Sequence, residues 1–145
     1  MQNIRCVTYK DEFSSENCAY NDLEIGIRNS VVGCGSSVFG ASKPGDIVLI
    51  NAIKDKKRYV VIGLLSEKLE YCDAWVEEGG RRWDHNYKYT PITSMFQYDF
   101  NTEQDVQDLC KTHSLNKNNL FNSRFCSKKL KVVIDRLIEK FKITT

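Results

Sequence analysis

The sequence predicts an α+β fold in which helices flank a curved mixed or antiparallel sheet. Strand-like apolar segments dominate the first two thirds of the chain, and the last third has helical periodicity. The nearly continuous apolar run 47–53 is typical of a strand that is buried on both faces. With 145 residues, we expect a single domain over 1–145, with a core at about 1–100 and a helical part at 101–145.

The N-terminal part is predicted to contain one strand, one short helix and loops. Residues 3–9 alternate between apolar and polar side chains, which predicts a first strand. The polar stretch that follows predicts a loop, after which Asn21 or Asp22 can cap a short helix over 23–30. The glycines and serines of 31–42 then predict a flexible loop.

The middle of the chain contains the clearest strands. The sequence "KPGD" at 43–46 predicts a turn, because proline fixes its first corner and glycine tolerates a positive φ at the second. The apolar run 47–53 follows, and the loop "KDKK" connects it to a second strand over 58–66. Two further strands are expected, over "YCDAWV" (71–76) and over "RRWDHNYKYTPI" (81–92).

The C-terminal third is predicted to be helical. One helix is expected over 102–113, where Thr102 and Asp105 have the spacing of a capping box. A C-terminal amphipathic helix is expected over 127–142, because apolar residues recur there at i, i+3 and i+4. Its apolar stripe consists of Leu130, Val133, Ile134, Leu137, Ile138 and Phe141, and its outer face carries Lys128, Lys129, Lys131, Arg136 and Lys140.

The hydropathy and the charge of the sequence indicate its location and its class of partner. No apolar run approaches the roughly 18 residues of a membrane span, and the N-terminus lacks the pattern of a secretory signal. A cytoplasmic location without a membrane partner is therefore expected. Residues 1–110 carry 12 Lys and Arg against 17 Asp and Glu, a balance of −5, whereas 111–145 carry 9 against 2, a balance of +7. A cationic C-terminal face suits nucleic acid, and a solvated basic helix is the alternative.

Neither a metal nor another cofactor is expected. The six cysteines include no closely spaced pair of the kind that binds zinc, so free thiols are predicted. Neither His85 nor His113 belongs to a catalytic motif, and no catalytic residue is assigned. A small hydrolase or nuclease that uses Asp84, His85 and an arginine is an alternative.

The stretch "DAWVEEGGRRWDHNYKY" (73–89) concentrates aromatic and cationic side chains, including both tryptophans of the chain. In a continuous strand over 83–89, the rings of Trp83, Tyr87 and Tyr89 would project from one face, next to an Arg-Arg pair. Rings beside arginines suit a base stacked between them with its phosphates outside, and a buried core face is the alternative. The rings concerned are Trp75, Trp83, Tyr87 and Tyr89, and the arginines are Arg81 and Arg82.

The order of these motifs resembles the PUA-like superfamily, and within it the EVE and YTH branch of modified-base readers. The loop "GCGSSVFG" (33–40) is similar in order to the YTH "G-x-W-[ST]" loop, and "KPGDIVLIN" matches an EVE phrase that opens a central strand. The stretch "AWVEEGGRRW" is similar to the YTH segment that supplies cage tryptophans. The tryptophan expected after Gly33 is absent, and Phe39 is the ring that can substitute for it.

The resemblance implies a small open barrel and a non-enzymatic module that holds a modified or flipped base of DNA or RNA in an aromatic cage. It implies no cofactor. The candidate cage residues are Trp75, Trp83, Tyr87 and Phe39. Hydrogen bonds to the base or backbone are expected from Ser36, Ser37 and His85, and phosphate contacts from Lys43, Arg81 and Arg82.

A protein partner is the main alternative to nucleic acid. Trp, Tyr and Arg dominate the energetics of protein interfaces, so the same aromatic and arginine cluster suits an interaction surface. Such a protein would be a small phage or mobile-element factor that binds and inhibits a host protein.

Overall fold

The structure, a computed structural model, describes residues 2–11, 18–122 and 128–143. These residues form a mixed α/β fold with six strands and five α-helices, and the sheet is strongly curled into a half-barrel. In chain order the elements are β1 (Ile4–Tyr9), α1 (Cys18–Asn29), β2 (Val31–Cys34), α2 (Ser37–Gly40), β3 (Ile47–Lys54), β4 (Lys57–Leu69), α3 (Ala74–Glu77), β5 (His85–Pro91), β6 (Phe96–Tyr98), α4 (Gln104–Thr112) and α5 (Lys131–Phe141), with 3₁₀ turns at Lys117–Asn119 and Lys128–Leu130.

The strands are ordered β1-β3-β4-β5-β2, and β6 pairs separately with the beginning of β4. The pair β1–β3 is parallel and the other pairs are antiparallel. The register of β4 against β5 shifts between Leu65 and Glu67, a bulge of the kind that bends a strand and increases its twist. The two edge strands of the curled sheet are linked where the Gly33 N–H of β2 donates to the Tyr9 hydroxyl of β1, at 3.1 Å.

Apolar side chains form a separate core on each face of the sheet. One core lies under α1, α2 and α3, and the other lies under α4 and α5. Strand β3 contributes to both: Val48, Ile50 and Ala52 belong to the first core, and Ile47 and Leu49 to the second. The prediction that the apolar run 47–53 is buried on both faces is therefore confirmed for residues 47–52, whereas Ile53 is 44% exposed.

The two turns around β3 also agree with the sequence. Gly45 has a φ of +92°, and the Asp46 N–H donates to the Lys43 carbonyl at 3.0 Å, which closes the "KPGD" turn. In the β3–β4 hairpin, Asp55 and Lys56 have φ values of 52° and 65°. Two consecutive left-handed residues are the geometry of the type I′ turn that matches the twist of paired strands.

Three predicted local structures are wrong. Residues 31–42 form β2 and α2 instead of a flexible loop, since β2 pairs with β5 and Ser36 caps α2. Residues 71–76 contain the beginning of α3 instead of a strand, because burial of Trp75 overrides its strand propensity. The strand expected over 81–92 begins only at His85.

Helix α1 begins at Cys18, five residues before the predicted start at Leu23. The carboxylate of Asp11 accepts from the Ala19 N–H at 2.9 Å and thus satisfies a donor of the first turn. Asp22 is therefore not a cap. It lies inside the helix, buried, and bonds to Arg81.

The C-terminal helices pack side by side on the second core. Helix α4 has Glu103 at its N-cap, and the Thr102 hydroxyl bonds to the Asp99 carbonyl instead of capping the helix. Helix α5 buries Val133, Ile134 and Leu137, and the prediction that it starts at Ser127 falls on 123–127, outside the described residues. Within the described ranges, none of the helices has the length and apolar character needed to cross a membrane.

Replacing Tyr9 by phenylalanine tests the link between the edge strands. Because the buried Gly33 N–H would lose its acceptor, we expect the free energy of unfolding to fall by about 1–3 kcal/mol. Urea denaturation monitored by circular dichroism measures this change. Tyr71→Phe is the control, since the side chain of Tyr71 is 72% exposed and we expect no comparable loss.

The ion pairs between α4 and α5 predict an acid-sensitive contribution to stability. A hydrogen bond from Arg136 Nε to Asp105, at 2.6 Å, lowers the pKa of the Asp105 carboxyl below its ordinary value of 3.8. Since the lower pKa belongs to the folded state, this stabilisation is present above about pH 4 and is lost as the pH falls through the folded-state pKa. We expect Asp105→Asn to flatten the decline of the unfolding free energy below pH 4, measured by urea denaturation. A profile parallel to that of the unmodified protein would contradict this assignment.

Candidate functional site

Trp75, the first predicted cage residue, lies inside the core. Its side chain is 0% exposed, and its indole N–H donates to Asn86 Oδ1 at 2.8 Å. The ring makes an edge contact with Tyr9, with 6.2 Å between centroids. The expectation of an open stacking surface is therefore incorrect for Trp75, because α3 turns this ring towards the sheet.

Tyr87 and Phe39 are also core residues in place of open cage walls. Tyr87 projects inward from β5, and its hydroxyl bonds to the carbonyl oxygens of Ser42 and Gly40, at 2.8 and 2.9 Å. Phe39 packs edge-on against the Tyr87 ring, with 5.1 Å between centroids. Together the two rings hold the segment between α2 and β3 against the sheet.

Trp83 is the one predicted cage residue that is not fully buried. It precedes β5, so it does not share a strand face with Tyr87, and its ring lies 5.2 Å from that of Tyr9. A Cβ atom at Gly33 would stand 2.6 Å from Trp83 Cδ1, so the close approach requires glycine there. Among the described residues, no hydrogen-bond acceptor contacts the buried indole nitrogen of Trp83.

The predicted phosphate contacts are spread over the surface. Arg81 bonds to the buried carboxylate of Asp22 through its backbone N–H, at 3.1 Å, and its Nε, at 2.5 Å. Its charge is therefore compensated within the protein, which corrects the expectation that it is available to phosphate. Arg82 and Lys43 are exposed, and Lys43 directs its backbone N–H to Asp46.

The predicted hydrogen-bonding residues do not form one site either. Ser36 caps α2, its hydroxyl accepting from the Val38 N–H at 3.2 Å, and Ser37 is exposed. His85 is half-buried at the beginning of β5. Ser36 and Phe39 do line a common cleft, but its volume is only about 90 Å³. Pockets that hold small-molecule ligands measure about 300–1,000 Å³.

A larger concave surface lies at the end of the sheet that contains the β3–β4 hairpin. It consists of two adjoining hollows of about 380 and 360 Å³. We name it the basic groove, because five cations and one carboxylate line it. The cations are Lys10, Lys56, Lys57, Arg58 and Lys117, the carboxylate is Asp99, and three rings also contribute, Tyr98, Phe100 and Phe121.

The lysines of the basic groove have no anionic partner among the residues that the structure describes. Within the described parts of the chain, Lys10, Lys56, Lys57 and Lys117 make no ion pair. Like charges held together repel one another, and a concave surface focuses their field. The groove is consequently a region of positive potential.

Arg58 lines both hollows, and contacts with Asn51 and Phe121 fix the position of its guanidinium. Its Nη1 donates to Asn51 Oδ1, and its guanidinium lies 4.9 Å from the centroid of the Phe121 ring. Asn51 is 0% exposed and is fixed in turn by bonds from its amide nitrogen to the Val7 carbonyl and Thr8 Oγ1, both at 3.1 Å. This network fixes the position of the guanidinium before any ligand arrives.

The environment of Arg58 favours an anionic ligand. The Arg58 side chain is half-buried, and this burial lowers the pKa of its guanidinium from the ordinary value. No carboxylate of the described residues lies within ion-pair distance of it. A partly desolvated cation without a counterion is unfavourable, and an external anion would relieve this cost.

Sequence reasoning missed this network, although one signal was present. Asn51 is the only polar residue in the buried run "IVLINAI", and a buried amide requires hydrogen-bond partners. The predicted hairpin indicates the pairing with β4, but the sequence does not indicate that β1 lies on the other side of β3.

The described residues contain no group of His, Cys, Asp and Glu side chains suited to a metal ion. The five described cysteines are free thiols, and Cys126 lies outside the described residues. Asp84, of the hydrolase alternative, is exposed beside the half-buried His85.

Comparison of the sequence with protein-family models and with curated proteins finds no match. The interpretation of the site therefore depends on its own geometry.

Fluorescence quenching tests the burial of the two indoles. In the Trp83→Phe variant the remaining indole is Trp75, which we expect to emit at short wavelength and to be poorly quenched by acrylamide, because it is fully buried. In the Trp75→Phe variant the half-buried Trp83 is expected to be quenched more efficiently. Similar quenching constants for the two variants would contradict the difference in burial.

Proposed function

We propose that this protein is a non-enzymatic nucleic-acid-binding module of the cytoplasm that holds the sugar–phosphate backbone in the basic groove. The observation that carries the proposal is the set of five cations around two adjoining hollows, with Asp99 as the single carboxylate among the described residues of the lining. Phosphate neutralisation by Lys and Arg supplies most of the sequence-independent affinity of proteins for nucleic acid.

The partly exposed ring of Phe100 favours nucleic acid over another polyanion. Phe100 is partly exposed and offers a ring to this surface, whereas Tyr98 and Phe121, at 6% and 8% exposed, belong mainly to the core under α4 and α5. Grooves that combine a cationic track with rings suit a ligand that has both phosphates and flat bases. The two hollows share Arg58, Lys117, Asn118, Leu120 and Phe121, so they form one continuous surface.

A more specific version of this proposal is that the protein is related to the PUA-like superfamily and recognises a modified base. The curled sheet and the "KPGD" turn support it. The burial of Trp75, Tyr87 and Phe39 does not, since a base would reach Trp75 only after α3 moved away from the sheet. The proposal of backbone binding in the basic groove does not depend on that movement.

Replacing three groove lysines tests the proposed function. We expect the triple variant Lys56→Ala, Lys57→Ala, Lys117→Ala to bind a labelled 20-nucleotide single strand about tenfold or more weakly, measured by fluorescence anisotropy. The slope of log K against log salt should become shallower by about 2, because each lost phosphate contact removes about 0.7 for a single strand.

A matched control removes the same charge elsewhere. Lys43, Arg82 and Lys88 are exposed residues outside the groove lining, and two of them are the phosphate contacts that the sequence predicted. Lys88 pairs with Glu67, ten residues along β4 from Lys57, which is on the order of 30 Å at about 3.3 Å per residue. We expect the alanine variants of these three residues to keep most of the affinity. Equal losses in the two triple variants, or no binding by the unmodified protein, would refute the proposed function.

A further inference from the structure

We infer that the basic groove binds a single strand with one phosphodiester at Arg58 and one nucleoside in each adjoining hollow. This inference rests on the proposed function and names the class of ligand and the residue that sets its position. It does not follow from positive charge alone, because Lys57, the neighbouring residue on β4, also lines the groove and lacks the surroundings of Arg58.

The first argument is the fixed position of the guanidinium. Asn51 occupies one end of the Arg58 side chain, and Phe121 lies beneath it. A planar guanidinium can give two parallel N–H bonds to phosphate oxygens, which an ammonium group cannot do. Since the side chain is already held, binding does not have to order it, and the affinity per contact is higher than for a mobile lysine.

The second argument is the placement of Arg58 between two hollows of similar volume. Both hollows reach the lower end of the size range of ligand pockets, about 300 Å³. Phe100 lines one and Thr8 lines the other, whereas Arg58 lines both, as do Lys117, Asn118, Leu120 and Phe121. A group at Arg58 is thus flanked by space on two sides, which suits a phosphate that bridges two nucleosides.

The third argument excludes a duplex as the preferred ligand. In a duplex the faces of the bases are stacked on one another, so the ring of Phe100 has no base face to stack on. Arg58 is half-buried, and a chain must enter the groove to reach it. A flexible single strand can do so.

Two glutamine variants separate the inference from simple electrostatics. Arg58→Gln and Lys57→Gln remove one charge each from adjacent residues of the same groove. We expect Arg58→Gln to weaken the binding of a thymidine decamer about tenfold more than Lys57→Gln does. Arg58→Lys keeps the charge and is still expected to bind more weakly than the unmodified protein, because it cannot form the paired bonds. Urea denaturation of each variant verifies that it is folded.

Small ligands test the two-nucleoside geometry in the unmodified protein. We expect thymidylyl-thymidine, which has one bridging phosphate, to shift the Arg58 Nε–H signal in a ¹⁵N NMR titration and to bind more tightly than thymidine 5′-monophosphate. We also expect the single-stranded decamer to bind more tightly than its duplex with a complementary strand.

The contrary outcomes are distinct. Equal effects of Arg58→Gln and Lys57→Gln overturn the assignment of Arg58, and equal binding of the mononucleotide and the dinucleotide overturns the bridging phosphate. Equal binding of single strand and duplex overturns the ligand class. In each of these cases the lysine triple variant still decides the proposed function separately, since that proposal requires only that the groove lysines matter.

Discussion

Burial of strand β3 on both faces is the constraint on which the rest of the structure depends. An apolar strand with no solvent-facing side needs a covering layer above and below, and the chain supplies α1, α2 and α3 for one face and α4 and α5 for the other. The same constraint determines the fate of Asn51, the one polar side chain of the run. Its amide cannot reach water, so it bonds to β1 and to Arg58, and this requirement positions a guanidinium at the surface.

The aromatic side chains of Trp75 and Tyr87 fill the core and also form hydrogen bonds within it. Trp75 and Tyr87 bury large apolar surfaces, and each also satisfies a hydrogen bond, to Asn86 and to the Ser42 carbonyl respectively. Arg81 next to the tryptophans forms an ion pair with the buried Asp22, which joins α1 to the segment before β5. Packing therefore explains the burial of Trp75 and Tyr87 and the ion pair of Arg81, whereas Arg82 is exposed.

Ion pairs within the fold reduce the number of C-terminal cations that are available to a ligand. The C-terminal 35 residues have a balance of +7, which predicted a basic helix as the cationic face. On α5, however, Arg136 and Lys140 bond to acidic residues before and within α4, and Lys131 pairs with Asp135. Among the described residues, the cations without such partners include Lys117, Lys56 and Lys57, which the sequence places about 60 residues apart and the fold brings together.

The sequence by itself determined the elements whose cause is local. The "KPGD" turn follows from the conformational limits of proline and glycine, and the doubly buried strand follows from an uninterrupted apolar run. It did not determine whether the rings at 75 and 83 lie in the core or on the surface, since both environments favour tryptophan. Only the tertiary structure decided that, and only it assembled the basic groove, because the groove depends on strand pairing and on ion pairs between residues far apart in the chain.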